Sequence, residues 1–162
     1  MAATRAALRY EGDVRRLLPR YKFGADLAVG RVLAGLLVEA VASAPRPDLL
    51  LPVPLHTARL RERGFDQAWE LARAVARELD LPARCDGLRR IRATPAQTGL
   101  DAAARRRNLR DAFSADPAVR GRHLALVDDV MTTGATVSAA TRALRRAGAA
   151  SVAVWVVARA PR

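Results

Sequence analysis

Val14, Leu17, Leu18 and Tyr21 recur at i, i+3, i+4 and i+7, one apolar stripe along a helix. After Gly24 the same spacing returns through Val29, Val32, Leu33, Leu36, Leu37 and Val41, until Pro45 and Pro47 forbid its continuation. The first third of the chain therefore reads as helical. Then the pattern changes. LLLPVPL (49–55) is a short apolar run closed by prolines, which predicts a buried strand leaving its sheet near Pro52. Ala68, Leu71, Ala72, Val75 and Leu79 restore the helical spacing, with a start near Gly64 or Asp66. Leu88 to Ile91 predicts a weaker strand, TPAQTG (94–99) a loop, and 123–129 a buried strand. A helix from about Thr136 to Ala147 follows, stopped by Gly148, and SVAVWVVA (151–158) is the last strand. Apolar strands alternating with helices predict an α/β fold, a parallel sheet flanked by helices. The length predicts one domain over 1–162, with 1–48 as an N-terminal helical part and 49–162 as the α/β core.

Composition narrows the core to Leu, Val and Ala, since aromatic residues make up only 4% of the chain. Trp69 and Trp155 fall on core-facing positions. No run approaches the roughly 18 apolar residues of a membrane span, and the N-terminus lacks the apolar segment of a secretory signal. Cytoplasm is the default location. A single cysteine, Cys85, excludes an internal disulfide and a four-cysteine zinc site. The formal charge of +12 fits an anionic partner, and it equally fits the arginine excess of a GC-rich coding sequence. Of the 28 basic residues only Lys22 is lysine.

The chemistry concentrates in LALVDDVMTTGAT (124–136), where a buried strand delivers two adjacent carboxylates to a small polar loop. In an open α/β sheet, ligands sit outside the carboxyl ends of the strands. The loop then enters a helix, whose free N–H groups and dipole favour phosphate. Gly134 lets backbone approach a ligand, and Thr132, Thr133 and Thr136 add hydroxyl donors. Asp128 and Asp129 cannot bind the phosphate. They can accept hydrogen bonds from a sugar diol or help to hold Mg²⁺. A ribose 5'-phosphate fits both halves. No lysine-containing phosphate loop and no G-x-G-x-x-G competes.

The thirteen residues resemble, without a gap, the signature of type I phosphoribosyltransferases. The resemblance implies that Asp128 and Asp129 contact the ribose hydroxyls of phosphoribosyl diphosphate, with Mg²⁺ held through the ligand or water. It also implies that Met131, Thr132, Thr133, Gly134, Ala135 and Thr136 cradle the 5'-phosphate. YKFGAD (21–26), PVPLHTARLRERGFDQA (52–68) and TPAQTGLDAAARRRNLRDAF (94–113) precede the signature in the order found in the ComF family. Members of that family are phosphoribosyltransferase-like, and some are linked to DNA uptake and competence. Their cysteine-rich zinc module has no counterpart in this sequence.

Arg59, Arg61 and Arg63 are the cations after the strand at 49–52, and arginine's forked donors suit diphosphate. Segment 94–113 resembles the loop that closes over diphosphate, with Gln97, Arg105 and Asn108 matching the ComF pattern. Lys22 is a further candidate, while His56, His123, Phe65 and Cys85 read as structural. Three functions follow: a phosphoribosyltransferase acting on an unidentified acceptor, a ribose-phosphate-sensing regulator, and a competence factor that binds single-stranded DNA. A homodimer fits the fold class.

Overall fold

The computed structural model describes residues 3–24, 26–93, 109 and 111–161. Strand β1 (Thr4–Arg9) leads into helices α1 (Val14–Gly24) and α2 (Leu27–Val41). Strand β2 (Leu49–Pro52), helix α3 (Thr57–Arg63) and helix α4 (Gln67–Leu79) follow. The short strands β3 (Leu88–Arg90) and β4 (Phe113–Ala115) come next. Strand β5 (His123–Met131), helix α5 (Ala135–Arg146) and strand β6 (Ser151–Arg159) complete the order. Four strands form a parallel sheet in the order β1-β6-β5-β2, and β3 and β4 pair antiparallel in a separate ribbon.

The parallel sheet and its flanking helices are as the apolar pattern predicts. Three local features differ. Thr4–Arg9 is not part of a helical segment; it is an edge strand in register with β6, Thr4 opposite Val154 and Arg9 opposite Arg159. TRAALR is a good helix former, but the open edge of β6 supplies backbone partners that a short isolated helix cannot match. Helix α3 occupies what read as a loop. Its first turn is capped by His56, whose Nδ1 accepts from the Ala58 N–H at 3.2 Å, and it ends at Gly64 with φ 77°. Strand β5 runs on to Met131, because its ladder with β6 continues through Val130 and Met131.

Side-chain alternation divides the core in two. Leu124, Leu126, Val152, Val154 and Val156 pack with Val137, Ala140 and Leu144 of α5. Ala125, Val127, Trp155 and Val157 pack with Leu33 and Leu37 of α2 and Leu71 and Val75 of α4. Trp155 is buried and Trp69 half-buried. His123 ties the strand starts together, its Nδ1 2.8 Å from the Ser151 hydroxyl. Among the described residues no helix is long and apolar enough to cross a membrane.

Helix α1 is seated by two buried side chains, Leu18 and Tyr21. Tyr21 is buried against Gly30 of α2, and its hydroxyl donates to the Gln67 carbonyl at 2.9 Å. A Cβ on residue 30 would stand 2.7 Å from the Tyr21 ring. Gly30→Ala should therefore destabilise the protein by about 1–3 kcal/mol, the usual cost of overpacking. Urea unfolding measures it, and an unchanged midpoint would mean that α1 is not seated through this contact.

Candidate functional site

The diacid lies near the carboxyl end of β5, and the alternation of a strand sends its two side chains to opposite faces. Asp129 follows Ala125 and Val127 to the α1–α2–α4 face, where it is 3% exposed. Its Oδ2 is 3.2 Å from Lys22 Nζ, on the last turn of α1. Its Oδ1 accepts from the Val130 N–H at 2.7 Å. The sole lysine of the chain thus compensates its most buried carboxylate among the described residues.

Asp128 is half-buried, and its Oδ1 accepts from the Asp129 N–H at 2.9 Å. Burial, and then the neighbouring Asp129 charge, push its carboxyl well above the ordinary range. Burial likewise raises Asp66, which caps α4 by accepting from the Trp69 N–H at 3.1 Å. Tyr21 is raised by burial first and by Glu70, Asp129 and Asp66 next. Uncompensated negative charge therefore concentrates here.

Positive charge approaches from the ribbon and from α3. Arg90 closes β3, with its guanidinium 5.6 Å from the Phe113 ring. Burial and the nearby Arg59 lower its affinity for its proton, and Asp128 raises it. Arginine remains charged under such shifts. Arg90 thus lies between the charges of Arg59 and Asp128. Arg61 is exposed, and Arg63 turns to the Phe23 ring at 5.1 Å. Of the three α3 arginines, Arg59 is the one that acts on Arg90. Gln97, Arg105 and Asn108 lie outside the described residues.

The loop after β5 is built as the sequence predicts. Met131 is buried and Thr132 and Thr133 are exposed. Gly134 turns the chain at φ 75°, a conformation that side-chain-bearing residues rarely adopt. Thr133 Oγ1 accepts from the Ala135 N–H at 3.4 Å, and the Gly134 carbonyl accepts from the Ser138 N–H at 2.8 Å. Glycine at the cap position offers no side chain, so first-turn N–H groups of α5 stay available to an anion.

Arg90 escaped the sequence reading because it sits in the basic run LRRIR, and only the pairing of β3 with β4 aims it. The diacid and Lys22 sit near the carboxyl end of β5. One groove lies elsewhere. A 510 Å³ depression lined by Arg5, Pro45, His123, Arg145 and Ser151 opens at the amino ends of the strands, opposite the diacid. Ligands of open α/β sheets bind at the carboxyl ends of the strands, where the diacid lies.

Two carboxylates are too few for a metal site made of protein alone, and no group of three metal-binding side chains occurs among the described residues. Magnesium commonly takes one or two carboxylates and completes its shell with phosphate oxygens and water. Asp128 and Asp129 fit that role and no fuller one.

A family model of the phosphoribosyl transferase domain matches residues 66–162. Competence protein F of Haemophilus influenzae is 39% identical over 153 residues, which is 89% of this chain and 67% of that protein. DNA utilization protein YhgH of Escherichia coli K12 is 37% identical over 156 residues, 93% of this chain and 69% of its own. Among solved structures, the glutamine phosphoribosylpyrophosphate amidotransferase of B. subtilis superposes with a TM-score of 0.55 at 26% identity. That match covers 78% of this chain and 25% of the amidotransferase. TT1426 of Thermus thermophilus superposes with a TM-score of 0.50 over 82% of this chain and 84% of its own. At 22% identity, that likeness is of fold alone.

The raised Asp128 carboxyl gives a signed pH dependence. It holds its proton more tightly folded than unfolded, so its contribution to stability is full below the unfolded value of about 4. That contribution is lost as pH rises through the folded value. Asp128→Asn cannot ionise. The ligand-free variant should unfold at a higher temperature than the parent at pH 7, and the difference should close towards pH 4. A variant less stable than the parent at pH 7 would contradict the strained carboxylate.

Proposed function

Because the chain belongs to the phosphoribosyltransferase family, within the ComF group of competence protein F relatives, we propose that the diacid and its loop bind phosphoribosyl diphosphate with Mg²⁺. One observation carries this reading: paired carboxylates on β5 stand directly ahead of a helix N-terminus capped only by glycine. Ribose hydroxyls donate to Asp128 and Asp129. The 5'-phosphate accepts from the backbone of 132–136 and from the threonine hydroxyls. The diphosphate lies towards Arg59 and Arg90.

Transfer then needs no protein nucleophile. The C1–O bond breaks, diphosphate leaves with the electron pair, and an acceptor's lone pair closes on C1 as the acceptor loses a proton. Lys22 holds Asp129 in place, and the two arginines take up the charge growing on the leaving group. Bound magnesium, which Asp128 and Asp129 would help to hold, would supply charge neutralisation.

The printed names of the relatives favour a second reading, in which the domain serves DNA use without turnover. Fold does not decide between them. One pair of measurements does. Phosphoribosyl diphosphate with Mg²⁺, at 100-fold over its Kd, should stabilise the protein by about 2.7 kcal/mol in thermal unfolding. Diphosphate release with an acceptor then identifies a transferase, whereas stabilisation without release under any acceptor leaves the non-catalytic reading. No stabilisation removes both the ribose site and the transferase.

A further inference from the structure

Helix α2, LAVGRVLAGLLVEAV, carries only two charged residues, Arg31 and Glu39. Leu33, Ala34, Leu37 and Val41 bury its inner side against the sheet and α4. A helix that covers a core on one side normally presents polar residues on the other, and one that is apolar all round is covered all round. Here the outer side consists of Ala28, Arg31, Val32, Gly35, Glu39 and Ala42, all exposed, with Val38 half-buried beside them. At about 100° per residue, every one of them falls within about 60° of Gly35 around the axis. Val32 is 62% exposed, and Leu27, at the start of the helix, 63%. The Arg31 and Glu39 side chains have no ion pair or hydrogen bond among the described residues. They stand about 12 Å apart along the axis, too far to pair with each other.

This face is complementary to itself. Arg31 and Glu39 lie four residues to either side of Gly35, Val32 and Val38 three, Ala28 and Ala42 seven. A second copy of the helix laid antiparallel across Gly35 sets each Arg31 against Glu39 of the other copy, with the valines between the two ion pairs. A parallel pairing would instead oppose like charges. Gly35 has open space where a Cβ would stand, which leaves room for two backbones to cross closely. We propose that the outer face of α2 is the surface through which two copies of this chain associate, antiparallel and centred on Gly35. The contact is isologous: each copy offers the same patch, and every interaction occurs twice. One four-turn helix from each copy falls short of the roughly 1,200 Å² of a stable interface, so the association is reversible. Gly30, towards the inner side of the same helix, holds the Tyr21 ring, so the second copy braces the helix against which α1 and Lys22 are seated. Nothing in this pairing depends on what the diacid binds.

Sedimentation velocity of the full chain, from about 1 to about 300 µM to span the affinities of small interfaces, should show monomers giving way to dimers. Arg31→Glu and Glu39→Arg should each weaken association about tenfold or more, because either one brings like charges together twice per dimer. Both side chains are exposed and have no partner in their own chain to lose, and circular dichroism in dilute solution checks that each variant folds as the parent does. An equimolar mixture of the two single variants should recover the parent's association, as should the double variant by itself. Gly35→Gln meets open space within its own chain and should block the crossing. A parent that stays monomeric throughout the range overturns the proposal. So does a dimer that the single variants leave intact, since it would lie on another surface. Single variants rescued neither by mixing nor by the double substitution contradict the antiparallel register.

Discussion

A carboxylate buried at the end of an apolar strand is the constraint around which this structure is arranged. Asp129 is almost without solvent, and an unpaired charge in that position would cost several kcal/mol. Lys22 offsets that cost, and it can do so only if α1 is held at the carboxyl edge of the sheet. The Tyr21 ring against Gly30, and its hydroxyl on the Gln67 carbonyl, hold the helix there. Packing one residue earlier in the chain thus fixes an ion pair in the site. Lysine suits the role because it delivers a compact charge on a flexible stem, where arginine would bring a wide planar fork.

Adjacent acids normally compete for the same space. Here the period of the strand turns them to opposite faces of the sheet, yet they share one cation: Lys22 pairs with Asp129 and also lowers Asp128, while Asp128 in turn favours the charge of Arg90. The compensation on the second face is incomplete, and the Asp128 carboxyl is pushed up accordingly. A diol that donates hydrogen bonds to that carboxylate relieves the imbalance. Stability of the empty protein and affinity for the ligand are, on this account, set in opposition at one residue.

The parallel sheet, the helices flanking it and the diacid loop were legible in the sequence, because each rests on local periodicity or on contiguous residues. The start of α4 was legible to within two residues, near Gly64 or Asp66, and Asp66 is the cap. What escaped depends on pairing between distant segments. TRAALR has no strand pattern, and becomes β1 only because β6 has an open edge. PLHTARLRER gave no helical stripe, and α3 accordingly buries no residue. Arg90 looked like one arginine among many until the ribbon of β3 and β4 turned it towards Asp128. Of the candidate site, the acids and the Gly134 turn were thus visible in advance, Lys22 was visible as an oddity of composition, and Arg90 was singled out only by the fold.

The central claim is that Lys22 belongs to the ligand site through Asp129, and the chain's single lysine permits a direct test. Nuclear magnetic resonance of ¹⁵N-lysine-labelled protein reports one side-chain ammonium signal, with no assignment problem. The account predicts a signal protected from rapid exchange in the ligand-free protein, which moves when phosphoribosyl diphosphate and Mg²⁺ are added and loses its protection in Asp129→Asn. A fast-exchanging, solvent-like signal that ignores both the ligand and the substitution would contradict it.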